Sequence, residues 1–134
     1  MKILFICKWN RFRSRTAEAY FNKINKNKQI KAESAGLFQG SYPLSVNQVK
    51  AGKELGINMN GKPRTISYKL LQEIDLIVIT ANDVPKQAFK TQYYTGKIKV
   101  WKIPDVDSGR DIEENKKIIR KIFKKVNTLI KELK

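Results

Sequence analysis

The sequence has no histidine and a single cysteine, Cys7. Those two shortages remove most hydrolytic chemistry at once, because a Ser-His-Asp triad, a Cys-His dyad and a histidine-ligated zinc all need imidazole. One cysteine also excludes an internal disulfide and a cysteine-rich metal cluster. Long apolar runs are missing too. The stretch Ile3 to Ile6 is far too short for an export signal or a membrane span, and no later segment reaches that length. A cytoplasmic protein without membrane association is therefore expected. Acidic residues are scarce: 12 Asp and Glu stand against 28 Lys and Arg, a formal charge of +16. Such a field favours anionic partners, including phosphorylated molecules and, weakly, nucleic acid. The excess is mostly lysine spread along the chain and densest near its end, a pattern more often found on a solvated surface than on a dedicated binding face.

What is present has a clear order. The 134 residues suffice for one hydrophobic core, and residues 1–134 are expected to form a single domain. Lys2 to Cys7 predicts a buried strand that runs into a polar segment, Lys8 to Arg15, with no strand pattern. From Arg13 onward Ala17, Tyr20, Phe21 and Ile24 recur at helical spacing, and Asn25 to Lys28 ends that helix. Gln29 to Ser34 alternates like a strand, closed by Ala35-Gly36. Ser45 with Gln48 makes a capping box for a helix over Val46 to Leu55, and Gly56 supplies its stop. Thr65 to Ile74 predicts a third, shorter helix, while Asp75 to Thr80 and Lys97 to Ile103 predict two further strands. Asp111, with Glu114, caps a long amphipathic helix striped by Ile118, Ile119, Ile122, Phe123, Val126, Leu129, Ile130 and Leu133. Buried strands alternating with helices point to an α/β fold, a small parallel sheet sandwiched between helices. Ligands of such sheets sit at the carboxyl ends of the strands, and Cys7 lies at such an end.

The chemistry is concentrated between Cys7 and Ser14: cysteine, five residues, arginine, serine. A loop that turns successive backbone amides inward at a helix N-terminus makes an anion nest, to which the helix dipole adds. A cysteine at the start of that loop faces the bound anion, and the same field favours the nucleophilic thiolate. Arg13 can fork two hydrogen bonds onto phosphate oxygens. Ser14 can donate its hydroxyl to the sulfur and ease its release when phosphocysteine is hydrolysed. Lys8, Trp9, Asn10, Arg11, Phe12 and Ser14 complete the candidate substrate-binding set. The competing reading, a small buried cysteine that merely ends a strand, accounts for neither the arginine nor the cationic context.

The stretch Phe5-Ile6-Cys7 through Arg13-Ser14-Arg15-Thr16-Ala17-Glu18 resembles the signature loop and following helix of the low-molecular-weight protein tyrosine phosphatases, a family that includes arginine phosphatases and arsenate reductases. Ser34-Ala35-Gly36 is similar to the family's second-strand ending, Leu55-Gly56-Ile57 to its helix exit, Asp75 to Thr80 to its third strand and the Trp101 region to its fourth. The resemblance implies a four-stranded parallel sheet flanked by helices. It also implies phosphomonoester hydrolysis in two steps through a phosphocysteine, without metal or cofactor, on a phosphorylated protein or small phosphate ester. Phosphotyrosine is the expected substrate. The family places an aspartate general acid after its last strand, which implies Asp105, with Asp107 as the alternative, in Ile103-Pro104-Asp105-Val106-Asp107.

The family's usual Asp-Pro pair is absent, Pro104 preceding the aspartate instead, and the signature loop departs from the family pattern in three places. Trp9 stands where a glycine is usual, and fits only if it keeps a negative φ and points its ring out of the nest. There it can stack on an aromatic substrate ring. Phe12 occupies the place of a frequent second cysteine, and Arg11 one of a small or apolar residue. Asn10 matches the family asparagine that adopts a left-handed conformation and braces the loop. Phe38, Tyr42, Tyr93 and Tyr94 are further candidates to wall the cleft. Two other functions compete. Arsenate reduction uses the same cradle, but with one cysteine it requires an external thiol. A non-catalytic phosphate or nucleic-acid binder would keep the loop and use the net charge.

Overall fold

The computed structural model describes residues 1–40, 44–59, 62–90, 93–105 and 111–133. Along the chain run β1 (Lys2–Cys7), α1 (Arg13–Ile24), β2 (Lys31–Gly36), α2 (Val46–Glu54), α3 (Tyr68–Gln72), β3 (Leu76–Ile79), a 3-10 turn (Lys86–Phe89), β4 (Lys97–Val100) and α4 (Ile112–Glu132). The four strands form one sheet in the order β2-β1-β3-β4, with every pairing parallel. The register sets Ile6 against Ala35 on one side and Ile79 on the other, and Cys7 against Gly36.

The two central strands are buried on both faces, which is why they read as unbroken apolar runs. Ile3, Phe5, Leu76 and Val78 face a core shared with Ala17 and Phe21 of α1, Ala51 of α2 and Ile119, Ile122, Val126 and Leu129 of α4. Leu4, Ile6, Ile77 and Ile79 face the opposite core, which Leu70 and Leu71 of α3 share with Phe89 and Tyr94. The period of two along a strand separates these sets, and the result is a sheet between two helical layers. Among the described residues no helix is long and apolar enough to cross a membrane.

Most element boundaries agree with the sequence reading, and the exceptions have physical causes. β2 starts two residues later than the pattern suggests and continues through Gly36, because Ala35 and Gly36 find ladder partners in Ile6 and Cys7. The helix expected over Thr65 to Ile74 is only Tyr68–Gln72. Ser67 caps it, and Thr65 instead bridges to Gly36. β4 stops at Val100 rather than Ile103; Trp101 and Ile103 turn inward to the core, the Trp101 amide donating to the Ile79 carbonyl at the end of β3 and the Ile103 carbonyl accepting from the Asn82 amide. As an edge strand it carries exposed Lys97 and Lys99, charges that discourage pairing with a second sheet. The capping box of α2 is formed as expected, and Gly56 after it has φ 90°, a conformation that glycine takes without strain.

Candidate active site

The sheet order turns at β1: the chain leaves it toward β2 on one side, and β3 lies on the other. That is the topological switch at which open α/β sheets bind ligands. Cys7 ends β1 there, and the segment 8–12 carries the chain from it to the first turn of α1. Among the described residues, the backbone amides of Lys8, Trp9, Asn10 and Phe12 donate no hydrogen bond to the protein. The first turn of α1 adds the free amides of a helix N-terminus, and no side chain caps it. A run of unpaired donors beside a helix start suits a tetrahedral oxyanion.

Asn10 holds this loop in shape. It is the only non-glycine residue with positive φ among those described, at 54°, so Trp9 avoids the left-handed region as it must. The Asn10 side chain is buried and fully used. Its Nδ2 donates to Ser14 Oγ and to Ser34 Oγ, both at 2.9 Å, while its Oδ1 accepts from the Arg64 backbone amide at 2.9 Å. Because each serine oxygen accepts from Asn10, each hydroxyl proton points away from it. Ser34 donates to Glu18 Oε1 at 2.6 Å, and Ser14 is left to donate across 3.0 Å to Cys7 Sγ. The orientation of that last hydrogen bond is thus set by an amide four residues before Ser14. Burial pushes the Glu18 carboxyl up from its ordinary value, opposed by the Ser34 hydroxyl and the Arg64 and Arg15 guanidinium groups. Buried Arg15 is pushed down by desolvation, with Glu18 and Cys7 opposing.

Gly36 lets the end of β2 lie against this loop. A Cβ there would stand 2.7 Å from both Asn10 N and Trp9 C and 2.8 Å from Phe38 O, and no backbone atom can yield that much. Leu37 and Phe38 amides donate to the Cys7 and Lys8 carbonyls at 3.0 Å, binding the outer face of the cradle to the chain after β2.

On the other side stands Arg13, only 3% exposed. Its Nη1 donates to the Ile103 carbonyl at 2.9 Å and its Nη2 to Asp83 Oδ1 at 3.1 Å, with Asp105 Oδ2 3.8 Å away. The candidate acid thus lies beside the candidate phosphate-binding guanidinium. Asp83 went unnoticed in the sequence; its one signal was a position just past the carboxyl end of β3, beside the switch point. Asp107 lies outside the described residues. Among the described residues no three His, Cys, Asp or Glu side chains converge as metal ligands would.

Trp9 is exposed and packs against exposed Phe38, ring centroids 5.5 Å apart, with Lys8 Nζ 5.6 Å from its ring. Arg11 is half-buried. Phe12 is 3% exposed and packs into the core with α1 and α4, so it faces away from a ligand. Of the other aromatic candidates, Tyr93 stacks on Tyr68 at 3.9 Å and Tyr94 is buried, its hydroxyl donating to the Lys97 carbonyl at 2.6 Å. Tyr94 therefore serves packing rather than the cleft. Tyr42 lies outside the described residues.

A parallel sheet whose first strand delivers a cysteine into an amide-lined loop, with an arginine opening the next helix, defines the class of cysteine-based phosphatase folds. Residues 2–134 match the family model of low molecular weight phosphotyrosine protein phosphatases. The chain belongs to that family, and family membership supports cysteine-based phosphatase activity. Among solved structures it is similar to a low molecular weight protein tyrosine phosphatase from T. tengcongensis, with 28% identity, TM-score 0.84, and 98% of this chain and 99% of that one covered. It is also similar to an arsenate reductase from Archaeoglobus fulgidus, with 27% identity, TM-score 0.76, and 96% and 98% covered. A Drosophila arginine phosphatase shares the fold at 21% identity and TM-score 0.86, with 100% and 98% covered. Comparison with curated proteins gives no match.

Proposed function

We propose that the chain hydrolyses phosphotyrosine in proteins through a phosphocysteine on Cys7. The observation that carries the reading is the 3.0 Å contact of Cys7 Sγ with Ser14 Oγ at a loop in which the amides of Lys8, Trp9, Asn10 and Phe12 have no acceptor among the described residues. In the first step the Cys7 thiolate attacks phosphorus, a sulfur–phosphorus bond forms and the bond from phosphorus to the tyrosine oxygen breaks. Asp105 gives its proton to that departing oxygen. The cradle amides and Arg13 hold the three equatorial oxygens as charge redistributes. In the second step water attacks phosphorus, its proton goes to the Asp105 carboxylate, and the sulfur leaves as a thiolate that Ser14 stabilises by donation. Inorganic phosphate is the product.

The choice of tyrosine rests on the aromatic pair Trp9 and Phe38, two exposed rings carried by the cradle and by the strand end bonded to it. Such a wall gains stacking energy from a flat aryl leaving group that a phosphoguanidine, joined through a phosphorus–nitrogen bond, or an alkyl phosphate supplies less well. The test is phosphate release from phosphotyrosine, phosphoarginine and an aryl phosphate with a chelator present, using the natural chain and Cys7→Ser. Metal-independent turnover, fastest on the aryl esters and lost in Cys7→Ser, is expected. Full activity in Cys7→Ser overturns the mechanism, and a preference for phosphoarginine overturns the substrate.

A further inference from the structure

The outer face of α4 carries a run of cations, most of which have no ion pair among the described residues. Lys117, Arg120, Lys121, Lys124 and Lys131 fall at spacings of three, four and seven residues, which puts them on one stripe of the helix with Lys125 beside it; all are exposed. From Lys117 to Lys131 the stripe is about 21 Å long at the helical rise. The acidic side chains along this surface are already engaged. Glu54 and Glu113 pair with Lys116, Glu114 with Lys117, and Glu132 with Lys99. Arg120, Lys121, Lys124, Lys125 and Lys131 have no ion pair among the described residues.

We infer that this stripe binds the phosphate backbone of duplex nucleic acid. Charge complementarity selects a polyanion, and the rest of the surface selects which one. A membrane-lying helix needs an apolar face to insert, but the apolar residues of α4 are packed in the core against the sheet and α1. A protein partner draws its energy from aromatic or aliphatic anchors seated in pockets, and the side chains interleaved with these cations are Asn127 and Thr128. A phosphate backbone requires neither, since the release of condensed counterions drives its binding. The chain enters α4 from the segment after β4, at the same end of the sheet as Cys7, and the helix runs back toward the other end. The stripe is therefore separate from the cradle, and both can be occupied together.

The test is fluorescence anisotropy of a labelled duplex of about 20 base pairs across a salt series from about 50 to 200 mM. Neutralising five phosphates gives a slope of log K on log salt of about −4 to −5. Combining Arg120→Glu, Lys121→Glu and Lys124→Glu is expected to weaken binding at least about 30-fold at about 100 mM salt, with aryl phosphate turnover unchanged. Should that variant misfold, Lys121→Gln with Lys124→Gln should reduce the slope by about 2. Cys7→Ser should bind like the natural chain, so a failure of the catalytic reading leaves this result untouched. Binding unaltered by either set of substitutions overturns the inference. So does tighter binding to phosphatidylserine vesicles than to the duplex at equal salt.

Discussion

On one side of the cradle every polar atom of the Asn10 side chain is spent inside the protein; on the other, Arg13 reaches out to carboxylates that water also reaches. The Asn10 side is buried, and its side-chain groups find their partners inside the protein. On the Arg13 side the guanidinium is 3% exposed while the side chains of Asp83 and Asp105 are 38% and 59% exposed. The difference corresponds to the two demands of phosphoryl transfer. The bowl that holds the oxyanion gains from having no freedom, since preorganised donors need no rearrangement as charge develops. The arm that delivers a proton must admit a substrate, hand over the proton and release the product, so it sits on loops at the ends of β3 and β4.

Breaking the closed side should have the largest effect. Asn10→Ala removes three side-chain hydrogen bonds, strands the Arg64 amide, takes the donor from two serine oxygens, and puts a Cβ without a compensating bond at φ 54°. A stability loss of roughly 2–4 kcal/mol is expected from chemical denaturation. Turnover should fall with it, because Ser14 then loses the bond that directs its proton to sulfur. An alanine variant as stable and as active as the natural chain would mean that the network is ornamental and that the loop is held by Gly36 and its neighbours alone.

Breaking the open side should cost turnover and leave stability nearly intact. Asp105→Asn keeps the shape but cannot give a proton, so hydrolysis of esters with poor leaving groups should fall by about 10²-fold, while those with good leaving groups change much less. Asp83→Asn weakens only the partner of Arg13, so its loss should be smaller and indifferent to the leaving group. Equal profiles for the two variants would show that both carboxylates only orient the arginine. A leaving-group effect confined to Asp107→Asn would move the acid two residues along.

The same contrast explains what the sequence could disclose. The cradle was legible because its chemistry is local: Cys7, Arg13 and Ser14 fall within one loop and the start of one helix at a spacing that points to a nest, while the role of Asn10 came only from the family resemblance. α4 was legible because a 3.6-residue period survives any context. The braces were not, since they join residues far apart in the chain: Asn10 to Ser34 across 24 positions, Asn10 to Arg64 across 54 and Arg13 to Asp83 across 70. No local pattern encodes such pairs. The length of α3 failed for a related reason. Thr65 has a partner in Gly36, and that tertiary bond outweighs a helical propensity of a few tenths of a kcal/mol per residue.

The smallest effect lies at the far end of the closed side, at Glu18, and it is one of direction. Burial raises the folded-state pKa of this carboxyl above its unfolded value, so the native chain holds the proton more tightly than the unfolded chain does. Stability must then decrease as pH rises from the ordinary glutamate range through the raised value, the reverse of what a salt-bridged carboxylate contributes. Glu18→Gln keeps an acceptor for the Ser34 hydroxyl and removes the titration. Unfolding measured between about pH 4 and pH 7 should therefore show the natural chain losing ground to the variant as pH rises. If the variant loses ground instead, the charges of Arg15 and Arg64 outweigh desolvation at Glu18, and the closed side is held by ion pairs as much as by its chain of neutral donors.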